Sequence, residues 1–245
     1  MNSTKTARSW DRTGEGAAPT STHLQTQDRS AQLEPPRIHP TAIIEEGVSV
    51  GARTAIWDHV HVRGPTSIGH DCIIGEKTYV AYGVSIGNYV KINANVYICT
   101  GITIEDNVMI AAGSIFTNDR NPRAFSDRCN GLAPSEPTKD TLESTVCTGA
   151  TIGAGVVIGP GLVIGPYAMV GMGAVVVKSV PPHGLLHGNP ARLHGYVCTC
   201  GVPLLRIQGP LHVAGAPKAL ECSRCGRRFT FCEGPEGVHS FTVAE

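Results

Sequence analysis

Residues 80–116 read VAYGVSIGNYVKINANVYICTGITIEDNVMIAAGSIF, and every sixth residue from Val80 to Phe116 is aliphatic or aromatic. The same spacing reaches back to Ile38 and resumes from Val146 to Val176. An α-helix repeats its face every 3.6 residues, so a six-residue period does not describe a helix. The period indicates a β-solenoid, in which each short strand is followed by a tight corner.

The position two residues before each of these apolar residues is small or β-branched, as expected for the interior of a narrow prism. The positions that share this property are Thr54, Val60, Thr66, Cys72, Thr78, Val84, Val90 and Val96. Three six-residue units close one triangular coil of 18 residues, so the repeat predicts about seven coils and a prism ~33 Å tall. We therefore predict an all-β parallel solenoid with Cys72 in its core.

The chain divides into three predicted parts. Residues 1–35 are polar and have no period of 2 or 3.6, which predicts a disordered tail. Residues 36–196 form the solenoid, with an excursion at 117–145 where the repeat breaks before returning in phase. Residues 197–245 form a separate small segment, and long excursions from a rigid scaffold commonly carry binding or catalysis.

Composition and charge exclude several classes of function. Twenty Lys and Arg residues balance 20 Asp and Glu residues, so no net charge attracts nucleic acid or an anionic membrane, and we expect neither as a partner. No apolar run approaches the ~18–20 residues that span a bilayer. We expect a cytoplasmic protein, whose clustered cysteines would be metal ligands rather than disulfides.

Residues 18 apart stack in a triangular solenoid, so they predict columns on its surface. One column contains His59, Lys77 and Asn95, and its neighbour contains His61, Tyr79 and Tyr97. These columns either decorate the surface, pack against another subunit or line a site. The excursion that follows Phe116 leaves from the same face, which favours a site.

The excursion begins Thr-Asn-Asp-Arg-Asn-Pro-Arg-Ala at 117–124, and this motif closely resembles one family. The repeats are similar to the left-handed β-helix, hexapeptide-repeat acyltransferases, which work mostly as homotrimers. The TN-x-x-NPRA motif resembles those that N-acetylate the 3-amino group of nucleotide-linked sugars, particularly UDP-2-acetamido-3-amino-2,3-dideoxyglucuronate. Further matching pieces are Ile56-Trp57, Val60-His61, Val90-Lys91-Ile92, Asn95-Val96, 105–108 (EDNV) and 188–192 (GNPAR).

The resemblance implies acetyl-CoA as co-substrate and a site between two subunits. It places Asn118 beside the amine and the thioester, as the catalytic residue. The expected substrate-binding residues are His61, Asn93, Asn95, Tyr97, Asp119 and Arg123. Lys178 and Arg192, which flank the end of the solenoid, are expected at the phosphates or ribose of CoA. Arg123 either meets a phosphate or carboxylate bidentately or fixes the excursion.

The excursion supplies no histidine, since none occurs between His70 and His183. A hydroxyl acceptor needs a general base to attack a thioester, whereas an amine with a pKa near 8 is partly neutral at pH 7. The sequence therefore favours N-acylation over O-acylation and argues against a three-histidine zinc site. His183, His187 and His194 lie beyond the last repeat and are expected to be exposed.

Two cysteine pairs near the carboxyl terminus predict a zinc ribbon. Cys198 and Cys200 precede Gly201, and Cys222 and Cys225 precede Gly226. Four thiolates leave no open position on a tetrahedral ion, so a structural Zn²⁺ is expected. Arg224, Arg227 and Arg228 with two phenylalanines are a small cluster, which favours a capping or lid role over nucleic-acid binding.

Three functions remain open from the sequence. The first is acetyl-CoA-dependent N-acetylation of a nucleotide-linked 3-amino sugar, for polysaccharide or glycosylated metabolite synthesis. The second is O-acylation by the same fold, with His59, His61 or a histidine of another subunit as the base. The third is a non-catalytic β-helix scaffold whose ribbon recruits a partner.

Overall fold

In the computed structural model, the structure describes residues 34–125, 131–133, 135–207, 218–233 and 239–243. The predicted tail lies almost wholly outside these residues. The described strands form a parallel β-solenoid with three faces, called here A, B and C in chain order. No helix long enough and apolar enough to cross a bilayer occurs in the described part of the chain.

Face A carries the longest sheet. Its strands are β1 (Arg37–Ile38), β4 (Ala55–Ile56), β7 (Ile73–Ile74), β10 (Lys91–Ile92), β13 (Met109–Ile110), β16 (Thr151–Ile152), β19 (Met169–Val170), β21 (Gly184–His187), β22 (Arg192–Val197) and β23 (Pro203–Arg206). The pairs are parallel up to β21 and antiparallel after it.

Face B is a parallel sheet of seven strands. They are β2 (Ile43–Ile44), β5 (His61–Val62), β8 (Tyr79–Val80), β11 (Tyr97–Ile98), β14 (Ile115–Phe116), β17 (Val157–Ile158) and β20 (Val175–Val176).

Face C is a parallel sheet of six strands. They are β3 (Val48–Val50), β6 (Thr66–Ile68), β9 (Val84–Ile86), β12 (Ile102–Ile104), β15 (Ser144–Val146) and β18 (Val163–Ile164). A bridge between Ile164 and Val180 begins a further rung. The described strands thus make seven coils and start an eighth, close to the number predicted from the repeat.

The excursion preserves the order of the faces. β14 on face B precedes it, and β15 on face C follows it and pairs with β12 of the coil below. Two further rungs of face B, β17 and β20, lie above β14. The excursion therefore leaves the wall of the solenoid at the fifth coil, where face B meets face C.

The core follows the predicted pattern. The six-residue positions from Ile56 to Phe116 are at most 3% exposed, and the smaller positions between them are at most 5% exposed. The buried polar atoms have partners: Thr54 Oγ1 donates to the Gly69 carbonyl at 2.7 Å, and Thr66 Oγ1 donates to the Ala81 carbonyl at 3.0 Å. Cys72 is 1% exposed, as predicted, and burial raises the pKa of its thiol.

Tight corners explain the remaining sequence signals. Arg53, Asp71, Lys77 and Asn95 have φ angles of 57–58°, in the left-handed region that non-glycine residues rarely adopt. Each of their amides donates to a carbonyl of the coil below. Glycine is required for a second reason at Gly75, where a Cβ atom would lie 2.6 Å from the Asn93 carbonyl carbon.

The carboxyl-terminal segment continues the solenoid more closely than the sequence suggests. β22 and β23 extend the sheet of face A, so backbone pairing crosses the predicted boundary at residue 197. The three strands β24 (Lys218–Glu221), β25 (Arg228–Glu233) and β26 (His239–Val243) form a separate antiparallel sheet.

Candidate functional site

A ladder of aromatic side chains runs along the outside of face B. His61, Tyr79 and Tyr97 occupy paired positions on adjacent rungs, as the 18-residue spacing predicts. The ring centroids of Tyr79 and Tyr97 are 5.3 Å apart with an angle of 7° between the planes, and His61 meets Tyr79 edge-on at 5.5 Å. Ile115 follows Tyr97 on the next rung.

His61 is paired with a carboxylate that sequence reasoning missed. Its Nε2 atom lies 2.8 Å from Glu45 Oε1, and Arg63 Nε lies 3.3 Å from the same oxygen. The hydrogen bond with His61 and the charge of Arg63 lower the pKa of Glu45. Glu45 and Arg63 are 18 residues apart, which is the signal that would have placed them on one corner.

Asn118 lies at the corner between faces B and C, at the start of the excursion. Its Nδ2 atom donates to the Thr100 carbonyl in the coil below at 3.1 Å, and its own carbonyl accepts from the Leu142 amide at 2.7 Å. Among the described residues, no partner is seen for its side-chain oxygen or second amide proton. A half-buried amide is thus held in one orientation with hydrogen-bonding capacity to spare.

The two ends of the excursion meet in a neck. Asp119 and Thr141 form an antiparallel bridge, and Thr141 Oγ1 donates to Asp119 Oδ1 at 3.0 Å. Further along, Tyr82 of the third coil donates to the Ser135 carbonyl at 3.4 Å. The excursion therefore turns downward over the same corner rather than extending freely.

Cys99 lies beneath this neck and is 5% exposed. Burial raises the pKa of its thiol to about 12, and the nearby charge of Asp119 adds to the effect. The thiol stays protonated at neutral pH and is a poor nucleophile.

The other predicted substrate-binding residues are not all gathered around Asn118. Asn93 and Asn95 lie at the opposite corner, between faces A and B, and Tyr97 lies on the face between the two corners. Arg123 is exposed, and its guanidinium donates to the carbonyl of its neighbour Pro122 at 3.0 Å. Asp119 is occupied in the neck.

The predicted CoA contacts lie higher on face B. Thr117 donates its amide to the Ile158 carbonyl, and Gly159 donates to the Val176 carbonyl, so Asn118 and Lys178 occupy the same corner two rungs apart. At the usual strand spacing this separation is about 10 Å along the solenoid. Arg192 begins β22 near the other corner, where Ala191 donates to the Val175 carbonyl.

The four predicted metal ligands come together. The Sγ atoms of Cys198, Cys200, Cys222 and Cys225 all lie within 4.8 Å of one another. Two of the pairs are 3.4 Å and 3.6 Å apart. Tetrahedral zinc with Zn–S bonds of ~2.3 Å requires thiolates about 3.8 Å apart, so the donor set fits a closed Zn²⁺ site.

Backbone amides and arginines favour thiolates in this cluster. Amides of Cys225 and Arg224 lower the pKa of Cys222 to about 6, and the Arg227 amide lowers the pKa of Cys225. Burial instead raises the pKa of Cys198 to about 12. Arg224 also donates to the Cys200 carbonyl at 3.4 Å, so this arginine supports the cluster.

The ribbon packs against the solenoid through aromatic rings. The sequence predicted that His183 would be exposed, which is wrong: it is 5% exposed, stacks on Tyr167 at 5.2 Å and meets Phe229 edge-on at 5.5 Å. Burial lowers the pKa of His183. The repeat gives no warning of this contact, because Phe229 comes from a part of the chain that has no six-residue period.

His187 and His194 are brought together on adjacent antiparallel strands. Their ring centroids are 3.5 Å apart with an angle of 10° between the planes. Burial and the neighbouring His187 lower the pKa of His194.

A shallow groove at the corner between faces A and B was not predicted. Its volume is about 400 Å³. It is lined by Trp57, Ile73, Gly75, Glu76, Ile92, Asn93, Ala94 and Ala112. Trp57 is 44% exposed, and the Arg37 guanidinium lies 5.2 Å from its ring centroid.

The fold defines a protein built of hexapeptide repeats, and family models agree. The model "Bacterial transferase hexapeptide (six repeats)" matches residues 83–118, and "Hexapeptide repeat of succinyl-transferase" matches residues 65–99. The solenoid thus belongs to the hexapeptide-repeat transferases.

One curated relative is the dTDP-3-amino-3,6-dideoxy-alpha-D-galactopyranose 3-N-acetyltransferase of Aneurinibacillus thermoaerophilus. It is 36% identical over 86 residues, which are 35% of this chain and 40% of the relative. The match therefore spans about two fifths of that enzyme's length.

Solved structures with a similar fold include two enzymes. PerB from Caulobacter crescentus, in complex with CoA and GDP-perosamine, is 20% identical with a TM-score of 0.32, over 66% of this chain and 58% of that one. AntD, an N-acyltransferase from Bacillus cereus in complex with dTDP and coenzyme A, is 24% identical with a TM-score of 0.40, over 59% and 82%.

Proposed function

We propose that this protein is an acetyl-CoA-dependent N-acetyltransferase that acylates the 3-amino group of a nucleotide-linked sugar. The observation that carries the proposal is Asn118, an oriented amide at the fifth-coil corner with hydrogen-bonding capacity left for a reacting group. The curated relative acts on a dTDP-linked 3-amino sugar, which supports the same acceptor class here.

The arrangement along the corner suits the two substrates. Lys178 stands two rungs above Asn118 and is exposed, so it is available to a CoA phosphate while the thioester lies near Asn118. Arg192 serves the same end of CoA. The acceptor then approaches from below, past Tyr97 and His61, with Arg123 free to turn from Pro122 toward a phosphate or carboxylate.

In the proposed reaction, the neutral amine attacks the thioester carbonyl carbon. The C–N bond forms, the C–S bond breaks, and the proton of the resulting ammonium passes to the departing thiolate of CoA. Asn118 either orients the amine through its side-chain oxygen or donates its second N–H to the developing oxyanion. Cys99 takes no covalent part, because its thiol stays protonated.

The His61–Glu45 pair favours a second candidate, O-acylation. An imidazole oriented by a carboxylate is the usual arrangement of a general base. However, His61 lies on the second rung of face B and Asn118 at the fifth, so roughly 14 Å of solenoid separates them. We therefore place His61 with the acceptor rather than at the reacting carbonyl.

We further propose a homotrimer in the cytoplasm, with the active site between two subunits and a structural Zn²⁺ held by Cys198, Cys200, Cys222 and Cys225. The zinc would fix the ribbon on the solenoid. The exposed Tyr97 and Ile115 on face B support a subunit or ligand contact there.

The experiment is thiol release from acetyl-CoA with a panel of acceptors. The panel contains UDP-linked 3-amino-glucuronate, a dTDP-linked 3-amino-6-deoxyhexose and the matching 3-hydroxy sugars. The proposal predicts release with at least one amino sugar and none with the hydroxy controls. Release with hydroxy sugars that is lost in His61→Ala would favour O-acylation, and silence with the whole panel would favour the scaffold function.

A further inference from the structure

We infer that the groove between faces A and B binds the nucleobase of the acceptor, and that it selects bases with an N–H beside a carbonyl, namely uracil, thymine or guanine. The inference rests on the proposed function for the identity of the ligand, since it names which part of the nucleotide sugar this groove holds.

The shape of the groove suits a flat ring. Trp57, Gly75 and Asn93 occupy equivalent positions on three successive rungs, because Trp57 and Gly75 donate their amides to Ile74 and Ile92 of the next coil. The missing side chain at Gly75 leaves a gap of two rungs, about 9.6 Å, between the Trp57 and Asn93 backbones. A ring with contacts of ~3.5–4.0 Å on both sides fits this gap.

The indole supplies a stacking surface. Trp57 lines the groove, and Arg37 of the coil below lies over the ring. An exposed tryptophan braced by a guanidinium is a typical platform for a base, because every base has a π-face. Ala94 and Ala112 keep the far wall of the groove low.

Two polar side chains line the groove without partners among the described residues. Glu76 and Asn93 are part of its lining, and neither makes a side-chain hydrogen bond or ion pair there. A carboxylate only accepts hydrogen bonds, and an amide both donates and accepts. Glu76 would accept the base N–H while Asn93 donates to the adjacent carbonyl oxygen.

This donor and acceptor pattern excludes two bases. Uracil and thymine present N3–H beside O4, and guanine presents N1–H beside O6. Cytosine and adenine present a lone pair at the corresponding nitrogen, which the Glu76 carboxylate would repel. Adenine of CoA is disfavoured for the same reason, and the predicted CoA contacts lie at the upper rungs.

The test uses tryptophan fluorescence, since the chain contains only Trp10 and Trp57. In a Trp10→Phe background, Trp57 is the sole reporter. Titration with UDP, dTDP or GDP should quench it, and CDP and ADP should bind at least 10-fold more weakly. Trp57→Ala, measured by calorimetry, should weaken binding of the preferred diphosphate by roughly 5-fold to 150-fold.

Glu76→Gln provides the specificity readout. A glutamine amide can donate to the cytosine or adenine lone pair, so this variant should narrow the preference against CDP and ADP. The matched control is Glu46→Gln, an exposed carboxylate at the other corner of face B, which should leave both affinity and preference unchanged.

Three results would overturn the inference. They are equal affinity in wild type and Trp57→Ala, no base preference, or Trp57 fluorescence already shielded from acrylamide without nucleotide, which would mean that a second copy covers the groove. The two proposals fail separately. Acetylation with an unchanged KM in Trp57→Ala would refute the base site alone, whereas diphosphate binding with base preference but without acetyl transfer would refute the proposed function alone.

Discussion

At the scale of single residues, Asn118 carries the proposed chemistry, because its side chain is anchored at one end only. Replacing it with alanine removes the oriented amide, and loss of one such hydrogen bond in acyl-transfer sites costs roughly 10²–10³-fold in turnover. We expect Asn118→Ala to lower kcat by that factor with a small change in the KM for acetyl-CoA.

The control for this variant is Lys139→Ala, an exposed residue of the same excursion, which should keep wild-type turnover. Steady-state kinetics with the best amino-sugar acceptor measure both. Wild-type turnover in Asn118→Ala would remove this residue from the mechanism.

Cys99 gives a prediction about pH. With a folded pKa of about 12, roughly one thiol in 10⁴ is ionised at pH 8, whereas an ordinary cysteine with a pKa near 8.5 is substantially ionised. The folded protein should therefore alkylate at Cys99 far more slowly than the denatured protein at pH 8, and the rate should keep rising above pH 9.

Peptide mass spectrometry after timed iodoacetamide treatment measures the modification, with half-buried Cys147 as the internal comparison. Rapid labelling of Cys99 at pH 7 in the folded protein would show that its thiol is neither buried nor protonated. Cys99→Ser should retain activity if the thiol has no chemical role.

At the scale of elements, the ribbon depends on two cysteine knuckles and on the aromatic contacts below them. Zinc removal should separate the four thiolates by mutual repulsion and loosen the contact between Phe229 and His183. We expect one zinc per chain by elemental analysis, and a lower thermal midpoint after chelation or in Cys222→Ser.

Cys232→Ser is the matched control, since this cysteine lies outside the cluster, and it should keep both zinc and thermal midpoint. A protein that contains no zinc when purified without chelator, with unaltered stability in Cys222→Ser, would contradict the proposed structural metal.

The sequence predicted the elements whose spacing is repetitive. Residues such as Val62 and Val80 reveal their inward orientation by period alone, and the columns His61–Tyr79–Tyr97 follow from it. The path of the excursion did not follow, because Tyr82 and Ser135 are 53 residues apart and no repeat relates them. The burial of His183 was missed for the same reason.

The candidate site was predicted only in part. The resemblance directed attention to Asn118, but it grouped Asn93 and Asn95 with that residue, although they lie at the opposite corner of face B. Glu45, Trp57 and Glu76 carry no motif by themselves. Their importance follows from the residues placed on neighbouring rungs, which a linear reading does not display.

At the scale of the whole molecule, the solenoid is a stack in which each coil contacts its neighbours, so stability is a sum over adjacent rungs. Its exposed apolar residues include Ile43, Ile115 and Val163, each more than 40% exposed. A trimer would cover part of this surface. Three chains of 25.8 kDa give about 77 kDa, which light scattering with chromatography should report.

A mass of about 26 kDa at micromolar concentration would contradict the trimer and the placement of the active site between subunits. The catalytic proposal for Asn118 would then require a site contained within one chain.

The central claim is that acetyl passes from acetyl-CoA to the nitrogen at C3 of a nucleotide-linked sugar. The most direct measurement uses acetyl-CoA labelled with ¹³C at the carbonyl and a 3-amino sugar labelled with ¹⁵N, with the purified product examined by NMR. The account predicts a ¹³C–¹⁵N one-bond coupling in the product. An acetyl ester without this coupling, from either the amino or the hydroxy sugar, would contradict it.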